Sequence, residues 1–158
     1  MDNAKKKQAY IAAFAVYWVV VLYFTFFGMR SVGELAADAN LREHSNFIPF
    51  ATIVGYFLAL GRKTVGGGIV ARHLLGNLLM ALPCGILLPA IFSRMRFASA
   101  AVVTTICVNF VLEFFQLIFK VGSFDIDSLL LRGIGALLGY FIWKQIAGKS
   151  QDTETAAP

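Results

Sequence analysis

Glu113 and Arg132 each lie inside a run of residues that is otherwise apolar. A charged side chain at the centre of a bilayer costs about 3 kcal/mol on insertion scales, and such residues normally serve a partner, a pathway or a ligand. A carboxylate and a guanidinium on neighbouring apolar runs can pair, hold a polar ligand together, or, if the carboxyl keeps its proton in apolar surroundings, do acid–base work. Asn109, Glu113 and Gln116 are spaced by four and three, which puts them on one face of a helix. Asn77 sits early in a preceding apolar run, with Arg72 and His73 just before it, and Asp125 and Asp127 stand ahead of the run that carries Arg132. The candidate ligand-binding residues are therefore Arg72, Asn77, Glu113, Gln116, Asp125, Asp127 and Arg132. Glu113 is the candidate acid–base group, and Asp125 and Asp127 are candidate ligands for a divalent cation or a sugar hydroxyl.

Each of these has a plainer reading. Glu113 and Arg132 can form a salt bridge that only joins two helices, in which case exchanging the two residues should leave a stable protein. Asn109 and Gln116 alone are more often interhelical glue than ligands. His73 beside Arg72 suits an interfacial position. An acid just before a helix caps its free amides and complements its dipole, which accounts for one of the two aspartates.

The elements that would position these residues are membrane spans. Hydrophobic residues make up 58% of the 158-residue chain and charged residues 15%, against about 25% charged in soluble domains. Residues 10–28, 74–92, 98–119 and 128–146 are each long and apolar enough to cross a bilayer. Residues 47–60 are apolar but too short, and carry Pro49 near their start. The expected fold is an all-α integral membrane protein: a single domain of four transmembrane helices, with a short re-entrant or interfacial helix between the first and second spans. Pro83 and Pro89 fall inside the second span, where neighbouring helices can satisfy the carbonyls they free. The Lys5–Lys7 cluster precedes an apolar run with no small-residue cleavage site, so this run reads as a retained first span rather than a leader.

A rise of about 1.5 Å per residue puts Glu113 roughly 9 Å and Arg132 roughly 7 Å from the same end of their spans, so the two can meet. The 14 Lys and Arg divide evenly across four spans. Lys5, Lys6, Lys7, Arg94, Arg96, Lys144 and Lys149 fall on one side, and Arg30, Arg42, Arg62, Lys63, Arg72, Lys120 and Arg132 on or near the other. Lys5–Lys7 and Arg94/Arg96 lie tight against span ends, where the positive-inside bias acts, which favours cytoplasmic termini.

Several classes are excluded. The formal charge of +5 comes from basic residues scattered around apolar runs, as topology and anionic lipids require, so no nucleic-acid partner is expected. Cys84 and Cys107 lack metal-ligand spacing and read as small buried residues rather than a disulfide or a zinc site. Gly66–Gly68 after Arg62 and Lys63 lacks the order of a phosphate-binding loop and the strand before it. No nucleophile–base pattern or dinucleotide fingerprint occurs, and no cofactor is called for. Gly135 and Gly139 form a G-x-x-x-G pair, best read as close helix packing, whose face could alternatively join copies of the chain.

Five short motifs, read in order, resemble the VanZ-like family. They are Asn46-Phe47-Ile48-Pro49-Phe50; Gly76-Asn77-Leu78-Leu79 with Leu82-Pro83-Cys84-Gly85; Glu113-Phe114-Phe115-Gln116; Ser123-Phe124-Asp125-Ile126-Asp127; and Gly135-Ala136-Leu137-Leu138-Gly139-Tyr140. The resemblance implies a multi-pass protein of the bacterial plasma membrane, linked to the cell envelope and to tolerance of the glycopeptide antibiotic teicoplanin. It adds Asn46 and Pro49 to the residues of interest. Two departures stand out: the family usually has Asn where this chain has Arg132, and commonly a basic residue just before the Ser-Phe-Asp-Ile-Asp run, where this chain has Lys120 and Gly122.

The function expected is binding or remodelling of an envelope lipid, or a lipid-linked cell-wall precursor, at the outer leaflet. Phosphate would meet Arg72 or Arg132, whose guanidinium forks match its geometry, and hydroxyls would meet Asn77, Asp125 or Asp127. The alternatives are an integral-membrane enzyme on the same lipids with Glu113 as acid–base group, a small transporter, or a partner-binding subunit.

Overall fold

The computed structural model describes residues 3–28, 45–119 and 122–155; Arg30, Arg42 and Lys120 of the charge comparison lie outside them. The described residues form five α-helices and no strand. They are α1 (Asn3–Tyr23), continued by a π-helical turn (Phe24–Gly28), the short α2 (Ala51–Gly61), α3 (Gly67–Ile91), α4 (Ala98–Ile118) and α5 (Ile126–Thr155). Four of them are long and apolar enough to span a membrane: Ala4–Phe26, Gly67–Ile91, Ala98–Ile118 and Ile126–Gly148.

The second span is the one whose start differs most from expectation. It begins at Gly67 rather than near residue 74, because Gly66 adopts an extended conformation and the two glycines after it enter the helix. Glycine is poor in a helix interior but costs little in a first turn. Arg72 and His73 are therefore helical residues and not part of a loop above the span. The short helix also begins late, at Ala51, after Phe50 takes a left-handed conformation with φ 68°.

The core is the α3–α5 pair, fitted along a seam of small residues. A Cβ on Gly85 would fall 2.0 Å from the Ala136 carbonyl oxygen, one on Gly135 2.1 Å from that of Leu78, and one on Gly139 2.1 Å from that of Leu82. Backbone therefore lies against backbone, a separation only glycine permits. Ala81 of α3, Ala136 of α5 and Ala101 of α4 are buried. Gly135 and Gly139 thus face α3 of their own chain, and neither is free to join a second copy. Helix α4 packs on α5 and, less closely, on α3, whereas the helical part of α1 packs on α3 and reaches neither α4 nor α5. On the outside, Val16, Val19, Leu79, Phe110, Ile134 and Phe141 are exposed, as lipid-facing positions should be. Cys84 is buried as expected, but Cys107 is exposed, because the inward face of α4 belongs to Ala101, Thr105, Asn109, Glu113 and Gln116.

Gly139→Val should prevent close approach of α3 and α5 and destabilise the protein by more than the roughly 1–3 kcal/mol typical of overpacking, since the clash is with backbone. Gly76→Ala meets nothing within 4 Å and should be neutral or stabilising, by up to about 1 kcal/mol. Thermal unfolding of purified protein in detergent, followed by the loss of its monodisperse gel-filtration peak, compares the two.

Candidate functional site

Arg132, on the first turns of α5, reaches across to both neighbouring helices. Its Nη1 lies 3.1 Å from Glu113 Oε1 and donates to Asn109 Oδ1 at 3.2 Å, while its Nε donates to Asn77 Oδ1 at 3.0 Å. Each amide is turned to present its oxygen: Asn77 Nδ2 donates to the His73 carbonyl and Asn109 Nδ2 to the Thr105 carbonyl, one helical turn back. Asn109 and Glu113 are buried.

The second oxygen of Glu113 accepts the Asp125 backbone N–H at 3.1 Å, which ties the α4–α5 connection down onto the bridge. Asp125 then collects donors. Its Oδ1 accepts from Asn46 Nδ2 (3.2 Å), Thr52 Oγ1 (3.1 Å) and the Asp127 N–H (3.0 Å). Its Oδ2 accepts from Ser128 Oγ at 3.2 Å and lies 3.5 Å from His73 Nε2. That last contact lacks hydrogen-bond geometry, and Nε2 is buried without a partner among the described residues. The Tyr56 ring sits over His73, with centroids 4.7 Å apart. Burial raises the Asp125 carboxyl, but the neighbouring His73, the Asp127 N–H, Asn46 and Thr52 outweigh it and hold the group below its ordinary value. Burial and the nearby Asp125 push the Tyr56 hydroxyl above its ordinary value.

Asp127 has a different task. It is fully buried, and its two oxygens accept the backbone N–H groups of Phe50 and Ile53. These are free amides at the start of α2, so Asp127 caps a helix that lies more than seventy residues earlier in sequence. Asp125 meanwhile caps α5, its own helix, through the Asp127 N–H and Ser128. Both aspartates are thus helix caps, on two different helices. Both oxygens of Asp127 are engaged by amides of α2. Among the described residues no three His, Cys, Asp or Glu side chains converge as a metal site.

Asn46 completes the roof. Its N–H donates to the Phe124 carbonyl, its carbonyl accepts from Ile126 N, and its Oδ1 accepts from Ile48 N. Phe124 stacks on Phe47 and meets Phe110 edge-on. Asn46, Asn77, Glu113, Asp125 and Arg132 therefore form one cluster, with Asp127 fastening its cover. Two expected members stand apart. Gln116 donates to the Thr25 carbonyl at 2.9 Å and so ties down the end of α1. Arg72 is exposed on the outside of α3 and makes no bond to the cluster. The structure adds Thr52, Tyr56, His73 and Ser128. Thr52 and Ser128 carry no sequence signal, since ordinary hydroxyl residues become partners only when distant segments meet. His73 has one: it precedes Asn77 by four residues and so shares its helix face.

The geometry also alters what a charge exchange would mean. Glu113 accepts a backbone N–H and Arg132 donates to two amide oxygens. Exchanged residues would set a guanidinium against the Asp125 N–H and a carboxylate against both amide oxygens. The exchange is therefore expected to fail even if the bridge is purely structural.

A family model described as VanZ/LLP1 matches residues 14–147, most of the chain and all of the cluster. No curated protein and no solved structure matches it.

Asp127→Ala should release the start of α2 and cost about 0.5–2 kcal/mol, read as a lower unfolding temperature and faster proteolysis between residues 46 and 66. Because the Asp125 carboxyl is held below its ordinary value, its ionised form stabilises the fold above the unfolded pKa. That contribution should disappear as pH falls through the lower folded value. The wild-type advantage over Asp125→Asn in unfolding temperature should accordingly be present at pH 7 and shrink below about pH 4.

Proposed function

The chain belongs to the VanZ/LLP1 family, multi-pass membrane proteins linked to glycopeptide resistance, and from that premise we infer that its buried cluster binds the headgroup of an envelope lipid at the outer leaflet. The observation that carries this reading is the cluster itself. A bridge that only joined helices would need one carboxylate and one guanidinium. This one adds Asn77, Asn109, His73 and Asp125 at the mouth of the spans, beneath a short apolar helix that buries no residue of its own. Burying charges costs more than a bare pair recovers, so such an ensemble is weak evidence of stability alone.

The charges narrow the ligand. Glu113 and Asp125 face a single guanidinium that already serves Asn77, Asn109 and Glu113. A phosphate inside the cluster would add negative charge where it is already in excess. A hydroxyl-bearing headgroup fits better, donating to the carboxylates and meeting His73 Nε2, which is buried and has no hydrogen-bond partner among the described residues. The lipid's phosphate would remain outside, within reach of Arg72, one residue before His73 and exposed.

A second reading, an enzyme acting on the same lipids, is favoured by His73. Its Nε2 faces Asp125 at 3.5 Å, as the carboxylate-oriented nitrogen of a general-base histidine does, which would leave Nδ1 to take the proton.

Teicoplanin and vancomycin susceptibility of a Gram-positive host expressing the chain tests both readings. Wild type should raise tolerance, and Glu113→Gln and His73→Gln at matched membrane levels should abolish it. No tolerance with wild type would sink the link to glycopeptides for this member. Lipid copurifying with His73→Gln as with wild type, but without tolerance, would favour the enzyme over the binder.

A further inference from the structure

The polar cluster occupies one flank of α4. The other flank borders a groove that this function does not use. It encloses about 440 Å³ between Phe14, Trp18 and Leu22 of α1 and Val108 and Leu112 of α4, with Leu88 of α3 at its base. Its origin is the packing of α1, which lies on α3, through Tyr17 Oη donating to the Met80 carbonyl at 2.9 Å, and stays clear of α4 along its helical length. Among the described residues the gap closes at the π-helical turn, where Gln116 Nε2 donates to the Thr25 carbonyl and Phe26 meets Phe119.

All these lining residues lie within the spans Ala4–Phe26, Gly67–Ile91 and Ala98–Ile118. An apolar cavity of this kind does not hold water, and left empty it would deprive its walls of dispersion contacts. At that depth the occupant is either a helix or a hydrocarbon chain, and volume decides. A helix is at least 10 Å across, so even ten residues of one fill about 1,200 Å³, several times the space. A single unbranched chain fits.

We propose that this groove is a binding slot for one acyl chain of a membrane phospholipid, entering sideways between α1 and α4. The surrounding bilayer supplies such chains at a concentration no other apolar molecule matches. The slot rests on its own geometry and does not depend on what the polar cluster binds. With the chain in place, α1 reaches α4 through lipid rather than through protein.

The test uses full-length protein in vesicles of phosphatidylethanolamine and phosphatidylglycerol that contain a phospholipid with a diazirine on its acyl chain. Photolysis and peptide mass spectrometry locate the label. Trp18, Leu22, Val108 and Leu112 should be labelled at least fivefold more than Val16, Val103 and Val111, which face outward and are exposed. Val108→Trp, at a position already 36% exposed, should remove the excess from Trp18 and Leu22 while Val111 labels as before. Thr104, one turn before Val108 on α4, also lines the groove, and Thr104→Trp should do the same. Even labelling of groove and outward residues in wild type would overturn the slot. So would native mass spectrometry that finds a polyprenyl lipid, or a second copy of the chain, displaced by Val108→Trp in place of a phospholipid. Glu113→Gln should leave the labelling unchanged, so failure of the headgroup reading and failure of the slot give different results.

Discussion

Arg132 carries a charge that cannot be left without partners inside a bilayer, and meeting that demand sets the register of three helices. Its guanidinium takes Asn77 from α3 and Asn109 and Glu113 from α4. A shift of either helix by one residue would rotate these groups away by about 100° and strand the charge. The glycine seam acts with this constraint. Because Gly135 and Gly139 admit the α3 backbone to near contact, the α3 side chains come close enough for Asn77 to reach Arg132.

The bridge also holds the cover. Glu113 spends its second oxygen on the Asp125 N–H, Asp125 gathers Asn46 and Thr52, and Asp127 caps α2. A helix of eleven residues with no buried side chain has little packing to keep it in place. Two carboxylates at the start of α5 supply that anchoring through hydrogen bonds, inside surroundings where such bonds are stronger than in water. Charge at membrane depth, loop and short helix thus form one connected network.

The spans were legible because a bilayer imposes a length of apolar sequence that little else requires, and the meeting of Glu113 with Arg132 followed from helix rise alone. Gln116 was read with the cluster on helix spacing, and it does lie on the buried face of α4. Yet that face is long, and its C-terminal end meets the π-helical turn after α1 rather than α5. Nearness to Asn77 in sequence is what points to Arg72. The earlier start of α3 turns it outward, since residues five apart on a helix point in different directions.

What the sequence by itself determined is what the solvent demands: four spans, a short apolar helix, and a buried carboxylate and guanidinium at matching depth. These follow from composition, spacing and the fixed rise of a helix, which are local properties. What only the tertiary structure decided is who partners whom across long separations. Asp127 reads as the cap of its own helix and instead caps α2, seventy-odd residues away, because the chain folds back so that the free amides of α2 and this carboxylate coincide. The spacing of the glycine pair reads as close helix packing but does not name the helix it packs on. Its partner is α3 because Gly85 and Ala136 make the complementary surface within the same chain.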